Sequence, residues 1–295
     1  MSQKKSVSLV LGSGGARGYA HIGAIEVLLE NGYEIRSISG SSMGALIGGL
    51  YACGKLDEYK KWVLKLSFFD VAKLLDFSLR QNGFIQGEKV FDIIQKMIGN
   101  ELIEKLPISF TAVATDIIKQ KEVWLQRGNL CDAIRASIAI PTIFTPKKIG
   151  GRYLVDGSVL NPIPIAPTIS DDTDLTIAVN LNARPWKAFE DTSSKNQKIK
   201  PNSIFAKLEQ KLEEVLSLRE KDSFEKIGIF GVMGYSIDTM QKVLTEYKIA
   251  GFAPDMNIDI PSNACEFYEF DKAKDMIKLG REITKSEIDR LTSKG

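Results

Sequence analysis

Ser42 lies at the centre of a G-x-S-x-G pattern formed by residues 40–44. A short strand-like run precedes the pattern and a helix-friendly run follows it, so the serine is predicted on a strand-to-helix turn. Such a turn strains the backbone and lifts the hydroxyl clear of the sheet, as in a nucleophile elbow. The turn needs small flanking residues, and Gly40, Gly44 and Ala45 are small. Serine and glycine are also common in ordinary turns, so the pattern alone leaves a simple turn open.

A glycine-rich loop follows the first predicted strand, residues 7–11, and precedes a predicted helix over residues 19–29. The G-x-G-x-x-G spacing of dinucleotide sites fails, because the third glycine position holds Arg17. The acid expected about twenty residues further on is also absent, so no nucleotide cofactor is expected. Such a loop can instead direct backbone N–H groups at a developing negative charge, which would make it an oxyanion hole. The glycines of the loop are Gly12, Gly14, Gly15 and Gly18.

A serine hydroxyl needs a neighbouring base before it becomes a good nucleophile. The chain has one histidine, His21, and it precedes the serine, whereas the α/β-hydrolase order is serine, acid, histidine. If the chain is catalytic, a carboxylate is therefore expected to act directly on Ser42. Asp116 and Asp156 both follow predicted strands, and Asp156 with Gly157 after it is the better candidate. Taken alone, an aspartate at the end of a strand is often only part of a turn.

The composition is that of an ordinary globular protein and favours one large domain. Of the 295 residues, 44% are hydrophobic and 26% are charged, and the net charge is +2 with basic and acidic residues interspersed. This charge distribution indicates no nucleic-acid-binding surface. Cys53, Cys131 and Cys265 lie far apart without metal-ligand spacing, so we expect reduced thiols that pack as small hydrophobic side chains.

The sequence contains no run of the roughly twenty apolar residues that a membrane span needs. Glycines and Arg17 interrupt the N-terminal apolar run too early for a signal peptide. A cytoplasmic protein with at most peripheral membrane contact is therefore expected.

The β-loop-α-β-turn-α order of residues 7–52 predicts parallel strands joined by a right-handed crossover. Further strands are predicted over residues 110–116, 122–125, 152–155, 174–181 and 256–260, and further helices over residues 131–140, 230–247 and 271–291. The polar residues 184–201 predict a mobile surface insertion. Residues 204–218 have the spacing of an amphipathic helix that faces the core, with membrane contact as the alternative.

Apolar side chains are concentrated between residues 60 and 97, among them Trp62, Phe69 and Leu75. One interpretation is that this segment forms helices that cover the sheet. The other is that residues 68–84 form a lid or the wall of an acyl-chain groove.

Four blocks of the sequence together resemble the patatin-like phospholipase family, in the family's order. The blocks are Gly14-Gly15-Ala16-Arg17-Gly18, Gly40-Ser41-Ser42-Met43-Gly44, Ala136-Ser137-Ile138-Ala139-Ile140-Pro141, and Asp156-Gly157 followed by Asn161 and Pro162. The resemblance implies a three-layer α/β/α sandwich with a mainly parallel central sheet, and hydrolysis of lipid acyl esters by a Ser–Asp dyad without metal or cofactor. Two positions depart from the family pattern: Ser13 replaces a further loop glycine, and Ser158 replaces the glycine or alanine after Asp-Gly.

The resemblance also implies roles for individual residues. Ser42 would be the nucleophile, and Asp156 would be the general base and later the activator of water. Backbone N–H groups of the loop would bind the oxyanion, and the implied donors are Gly14, Gly15 and Ala16. Arg17 would orient the loop or meet a phosphate, with an exposed structural arginine as the alternative. Supporting roles fall to Gly12, Arg17, Gly18, Gly40, Gly44 and Gly157.

The implied protein is a single hydrolase domain over residues 1–295, with core motifs in residues 7–181 and a mainly helical part in residues 203–292. Its activity would be that of a phospholipase A, lysophospholipase or lipid esterase. Two alternatives stay open: a soluble short-chain carboxylesterase or thioesterase, and a non-catalytic lipid-binding or regulatory protein of the same fold. The expected partners are a lipid or acyl-ester substrate and the inner membrane face, with no nucleic acid; the oligomeric state is left open.

Overall fold

The computed structural model describes residues 5–67, 70–71, 88–141, 143–186 and 229–293. Helices and strands are numbered in chain order within these ranges. Three sequence predictions lie outside them: most of the lid or groove wall at residues 68–84, most of the insertion at residues 184–201, and the helix over residues 204–218.

One mixed sheet organises the described residues, with strand order β5-β6-β3-β2-β1-β7-β8 and β4 also paired to β3. The strands are β1 Ser6–Leu11, β2 Glu34–Ser41, β3 Ser109–Asp116, β4 Lys121–Leu125, β5 Lys147–Ile149, β6 Arg152–Asp156, β7 Leu175–Ala183 and β8 Met256–Pro261. Strands β3, β2, β1, β7 and β8 run parallel, whereas β4, β5 and β6 pair antiparallel. The prediction of an α/β fold with a mainly parallel sheet is confirmed.

Apolar side chains cover both faces of the sheet. Within the described residues the helices are α1 Ala20–Glu30, α2 Met43–Ala52, α3 Leu56–Val63, α4 Glu88–Ile98, α5 Leu130–Ser137, α6 Ile229–Gly251 and α7 Ala273–Thr292. Leu9 and Leu11 of β1 pack into a large core with α1, α2 and α7. Val10, between them, packs with Ile163 in a smaller core against which Ile249 of α6 lies. Because side chains alternate along a strand, β1 is buried on both faces.

Two strands, β2 and β6, pair one after the other along the same edge of β3. Its first part pairs with β2 and its last three residues pair with β6. Strand β4 pairs with residues of both parts, so it occupies the opposite edge. Strands β2 and β6 therefore approach each other along one edge of β3, where Ser41 is the partner of Val113 and Asp156 is the partner of Ala114.

Helix α5 is shorter than the sequence predicts. The prediction covers residues 131–140, but the helix ends at Ser137. The chain leaves the helix because the carbonyl of Ala139 accepts a hydrogen bond from the Asp156 N–H at 2.9 Å, which ties this segment to the end of β6. Pro141 also disfavours a helical conformation at the residue before it. No sequence pattern predicts β5, a strand of three residues on the edge of the sheet.

The C-terminal part contributes to the same sheet, because β8 pairs with β7. Helix α7 packs on α1, and Arg281 of α7 donates to Glu26 and Glu30 of α1 at 2.8 Å. The organisation of residues 1–295 as a single domain stays a prediction. All three cysteines are free, as expected. Among the described helices, none combines the length and the hydropathy needed to cross a membrane.

Candidate active site

Ser42 occupies the turn between β2 and α2 that the sequence predicts. Its backbone has φ 55° and ψ −122°, and a positive φ is disfavoured for any residue with a side chain. The turn is this tight because α2 lies directly against β1: a Cβ at Gly44 would be 1.9 Å from the Leu11 carbonyl oxygen. Only glycine fits at this contact.

Asp156, the last residue of β6, lies directly beside the serine. The Ser42 hydroxyl donates to Asp156 Oδ2 at 2.7 Å. The other carboxylate oxygen, Oδ1, accepts from the Ser158 N–H at 2.8 Å, so both oxygens of the aspartate are held. Both side chains are buried. The structure thus brings together the two residues that the sequence analysis selects.

Burial changes the acidity of this aspartate. Loss of solvation raises the pKa of Asp156 to about 6, and the hydrogen bonds from Ser42 and Ser158 act in the opposite direction. A carboxyl group with a pKa near neutrality can both accept a proton from a hydroxyl and return it. Buried Asp156 is therefore better suited to act as a general base than an exposed carboxylate would be.

Ser137 supports the turn through its hydroxyl, a contact that no sequence pattern predicts. Its Oγ accepts from the Ser42 N–H at 3.0 Å and donates to the Val113 carbonyl oxygen at 2.6 Å. Val113 is the last residue of β3 that pairs with β2, so the hydroxyl bridges the end of the strand pair to the nucleophile's backbone. The sequence shows only a small, apolar run at this place, and no local pattern indicates that the hydroxyl is used.

Backbone hydrogen bonds to other segments of the chain hold the glycine loop in place. The Gly12 N–H donates to Val179 O, and the Ser13 N–H donates to Pro162 O. The Ala16 N–H donates to Phe267 O at 2.8 Å, so this group is already occupied, and the assignment of Ala16 as an oxyanion donor is corrected. The N–H groups of Gly14 and Gly15 have no hydrogen-bond partner among the residues that the structure describes. These two stay the predicted donors.

The other supporting glycines lie at points of close approach between elements. Gly15 has φ +55° and faces the Phe267 backbone, where a Cβ would lie 2.3 Å from the carbonyl oxygen. The remaining positions are Gly12 against Val179, Gly14 against Leu181, Gly18 against Met43, Gly40 against Ala45, and Gly157 against Val113.

Arg17 is buried, so the interpretation of Arg17 as an exposed structural arginine is wrong. Its guanidinium donates to the carbonyls of Ser262 and Cys265, at 2.8 and 3.3 Å. It also lies 3.8 Å from Asp238 of α6. These contacts fix the loop to the segment after β8, which agrees with a role in orienting the loop.

His21 lies behind the glycine loop and is fully buried. Its Nε2 donates to the Gly12 carbonyl oxygen at 2.8 Å, since a carbonyl can only accept. Burial lowers the pKa of His21 to about 4, so the ring is neutral at physiological pH. Ser42 makes its hydrogen bond to Asp156 instead. The histidine thus contacts the backbone of the loop.

Helix α6 connects the glycine loop to the acid turn through one side chain. Gln241 Oε1 accepts from the Ser13 hydroxyl at 3.3 Å, and its Nε2 donates to the Ser158 hydroxyl at 2.9 Å. Ser13 and Ser158 are the two positions where the sequence departs from the family pattern, and both bind the same glutamine. Gln241 follows Ser158 by 83 residues, so the sequence gives no sign of this contact.

Asp116, the second candidate base, has a different role. Its Oδ1 accepts from the N–H groups of Ile118 and Lys119, at 3.1 and 2.9 Å, and so it stabilises the turn between β3 and β4. Within the described ranges, no group of three His, Cys, Asp or Glu side chains could hold a metal ion.

The fold and the site together define a class: an α/β protein with a serine on a strand-to-helix turn that is hydrogen-bonded to a buried aspartate. The family model for patatin-like phospholipase matches residues 9–169. The chain belongs to this family, whose activity is hydrolysis of lipid acyl esters.

Relatives agree with this assignment, and a solved structure shares the fold. An uncharacterized NTE family protein of Mycobacterium tuberculosis is 37% identical over 98% of this chain and 92% of its own length. The lysophospholipase NTE1 of Coccidioides immitis is 26% identical over 99% of this chain and 18% of its own length. The structure of VipD from Legionella pneumophila has a TM-score of 0.56 at 14% sequence identity and covers 97% of this chain and 67% of VipD. That last likeness concerns the fold alone.

Proposed function

We propose that this protein is a serine acyl hydrolase that cleaves carboxylic acyl esters of lipids, as a phospholipase A, lysophospholipase or lipid esterase. The observation that supports it most is the 2.7 Å hydrogen bond from the Ser42 hydroxyl to Asp156, at a strained turn. Family membership and the name of the lysophospholipase relative support a lipid substrate.

In the first half-reaction, Ser42 Oγ attacks the acyl carbonyl carbon while its proton moves to Asp156 Oδ2. The tetrahedral intermediate then expels the alcohol, which takes the proton back from Asp156, and an acyl-Ser42 ester remains. In the second half-reaction, Asp156 takes a proton from water, which attacks the acyl carbon. The proton returns to Ser42 Oγ as the carboxylic acid leaves, so both residues regain their starting state.

The oxyanion of each tetrahedral intermediate needs preorganised donors. We assign this role to the N–H groups of Gly14 and Gly15, which have no other partner within the described residues. Three side chains hold the loop in place. Arg17 donates to the Ser262 carbonyl, Gln241 accepts from the Ser13 hydroxyl, and His21 donates to the Gly12 carbonyl. None of these side chains accepts a proton in the proposed reaction.

The nucleophile is tested by labelling with a fluorophosphonate, followed by peptide mapping. We expect one adduct, on Ser42, and none in the S42A variant. Ser39→Ala is the matched control, because Ser39 is a buried serine of β2, three residues before Ser42, whose hydroxyl has no hydrogen-bond partner in the described part of the chain. An adduct on a different residue of the folded protein would refute the assignment, as would unlabelled Ser42.

The substrate class is tested with purified protein on a panel of phospholipids, lysophospholipids, long-chain esters, short-chain esters and thioesters. We expect release of fatty acid from lipid substrates, and loss of that release in both S42A and D156N. Turnover of short-chain esters or thioesters alone would replace the lipid substrate with a small acyl ester. Lipid binding without turnover of any substrate would favour the non-catalytic alternative. A cytoplasmic protein that meets its substrate at the inner membrane face fits this proposal.

A further inference from the structure

Two neighbouring hairpin tips form an exposed surface that the proposed reaction does not use. One tip, residues 117–121, joins β3 to β4, and the other, residues 147–153, contains β5, its turn and the start of β6. They lie side by side, since the Ile117 N–H donates to Tyr153 O at 3.1 Å. We call these twelve residues the tip surface.

The tip surface lies at the same end of the sheet as Ser42. Strands β2 and β3 are parallel, and Ser41 at the end of β2 is the partner of Val113. Strand β3 continues for three residues beyond Val113, to Asp116. At about 3.3 Å per residue, the tips stand about 10 Å beyond the end of β2. A flat surface that meets the tips would therefore face the end of the sheet that holds the candidate active site.

Large apolar side chains of the tip surface are exposed to solvent. Ile118 is 73% exposed, and Ile117 and Tyr153 are 42% and 47% exposed. Because most of the Ile118 side chain is exposed within the described part of the chain, its packing there contributes little to the stability of the fold. Grouped apolar side chains on a surface mark an interaction site more than single ones do.

The charges of the tip surface all have one sign. The two segments contain five lysines and arginines and no aspartate or glutamate, although the whole chain has a net charge of only +2. Lys147 pairs with Asp132 at 2.6 Å. Within the described residues, Lys119, Lys121 and Arg152 have no carboxylate within ion-pair distance and are exposed. Their charge is therefore available to an anionic partner.

We propose that the tip surface docks the protein on an anionic lipid bilayer. Exposed isoleucines beside cations that have no carboxylate partner among the described residues match a membrane interface, where apolar side chains enter the acyl boundary and cations meet anionic headgroups. A nucleic acid would use the cations and leave Ile118 in water, so the bilayer is favoured. This proposal deepens the proposed function, because the substrate would be drawn from the surface that the tips contact.

Binding is tested by co-sedimentation of S42A protein with vesicles, so that no lipid is hydrolysed. The vesicles are phosphatidylcholine alone, or phosphatidylcholine with roughly one-third phosphatidylglycerol, and we expect binding to the anionic ones that weakens as salt rises above about 0.1 M. Adding K119Q and K121Q should lower the partition coefficient about tenfold or more. The matched control is K5Q/K105Q, since Lys5 and Lys105 are exposed and precede β1 and β3 at the opposite end of the sheet.

The apolar contribution is tested by I118S, with I169S as the control. Ile169 is 61% exposed and precedes β7, also at the opposite end of the sheet. We expect I118S to lower binding to anionic vesicles about tenfold and I169S to leave it unchanged. Equal binding to neutral vesicles, or equal effects of the tip and control variants, would overturn the proposal. So would binding of a DNA duplex that competes with vesicles and is unaffected by I118S.

Kinetics separate this proposal from the proposed function. In active protein, K119Q/K121Q and I118S should lower the rate on anionic vesicles about tenfold and leave the rate on a dissolved short-chain ester unchanged. Ester and lysolipid hydrolysis without vesicle binding would refute the docking surface and leave the proposed function standing. Tip-dependent binding without hydrolysis of any substrate would refute the proposed function alone.

Discussion

Ser41 and Asp156 pair with adjacent residues of one strand, Val113 and Ala114 of β3, although they belong to two strands that run in opposite directions. Pairing with β3 therefore sets the distance between Ser42, the candidate nucleophile, and Asp156, the candidate base. Ser42, the next residue, lies on the turn between β2 and α2, and its hydroxyl donates to Asp156 Oδ2 at 2.7 Å. Asp156 follows Ser42 by 114 residues in the chain, and the two side chains are brought together by the pairing of β2 and β6 with β3.

The first prediction concerns the pH dependence of the rate. The pKa of Asp156 is raised to about 6, and the base must be deprotonated, so kcat/KM should rise with pH and be half-maximal near pH 6. The measurement is a pH–rate profile on a dissolved ester, with folding checked by circular dichroism at each pH. An H21A variant should keep the same midpoint. A midpoint that disappears in H21A would assign the base to the histidine.

The second prediction concerns stability and D156N. A raised carboxyl pKa means that the folded state binds the Asp156 proton more tightly than the unfolded state does. This contribution to stability is fully present below about pH 4 and is lost as pH rises through about 6. D156N removes the buried charge, so near pH 8 its free energy of unfolding should exceed that of wild type by about 1–3 kcal/mol.

Urea unfolding at several pH values measures this difference. The gap between D156N and wild type should narrow as the pH falls from 8 toward 4 and close below about pH 4, where Asp156 becomes protonated in both states. A gap that is constant over the whole range would mean that shape, not ionisation, produces the effect.

The third prediction is that His21 is dispensable for chemistry. H21A should keep kcat within about tenfold of wild type, because within the described residues the ring hydrogen-bonds the Gly12 carbonyl and no reacting group, whereas loss of a catalytic histidine would cost several orders of magnitude. The buried cavity should lower stability by about 2–4 kcal/mol. Steady-state kinetics and thermal unfolding separate the two effects. A loss of activity as large as that of S42A in folded protein would contradict the Ser–Asp mechanism.

His21 also makes the free energy of unfolding depend on pH. Its pKa is lowered to about 4 in the folded state, so the unfolded state binds more protons between about pH 4 and its ordinary value near 6.5. Wild type should therefore lose stability as pH falls through this range. H21A should lack this part of the loss, which urea unfolding at pH 7 and pH 5 would measure.

The fourth prediction concerns Ser137. S137A leaves the Ser42 N–H and the Val113 carbonyl without their partner, so stability should fall by about 1–3 kcal/mol and kcat by roughly tenfold or more. S39A is the control, because the Ser39 hydroxyl is buried without a partner in the described part of the chain, and its removal should cost nothing. Equal effects of S137A and S39A would show that the bridge contributes nothing.

The fifth prediction concerns Gln241. Q241A breaks the link between the glycine loop and the acid turn, and we expect a roughly tenfold lower kcat on a dissolved ester with KM little changed. The double variant Q241A/S158A should lose little more than Q241A alone, since both substitutions remove the Gln241–Ser158 hydrogen bond. M240A, on the exposed side of the same helix, is the control. Additive losses would mean that the two side chains act separately.

The sequence by itself indicates the candidate nucleophile Ser42, the candidate base Asp156 and the class of fold. Local patterns suffice for the elbow at Ser42, for the strand that ends in Asp156, and for the parallel β-α-β order, because turns and periodicities are properties of neighbouring residues. Motif order and spacing also indicate the family. Chain order also indicates that His21 is a poor candidate for a triad of the α/β-hydrolase kind.

Only the tertiary structure decides which groups meet. The occupied N–H of Ala16, the bridge by Ser137 and the link through Gln241 all join residues far apart in the chain. The raised pKa of Asp156 likewise comes from burial by elements that no local pattern specifies. Hydrogen bonds and desolvation depend on distances in space, and these are fixed by the pairing of strands and the packing of helices, not by the order of residues along the chain.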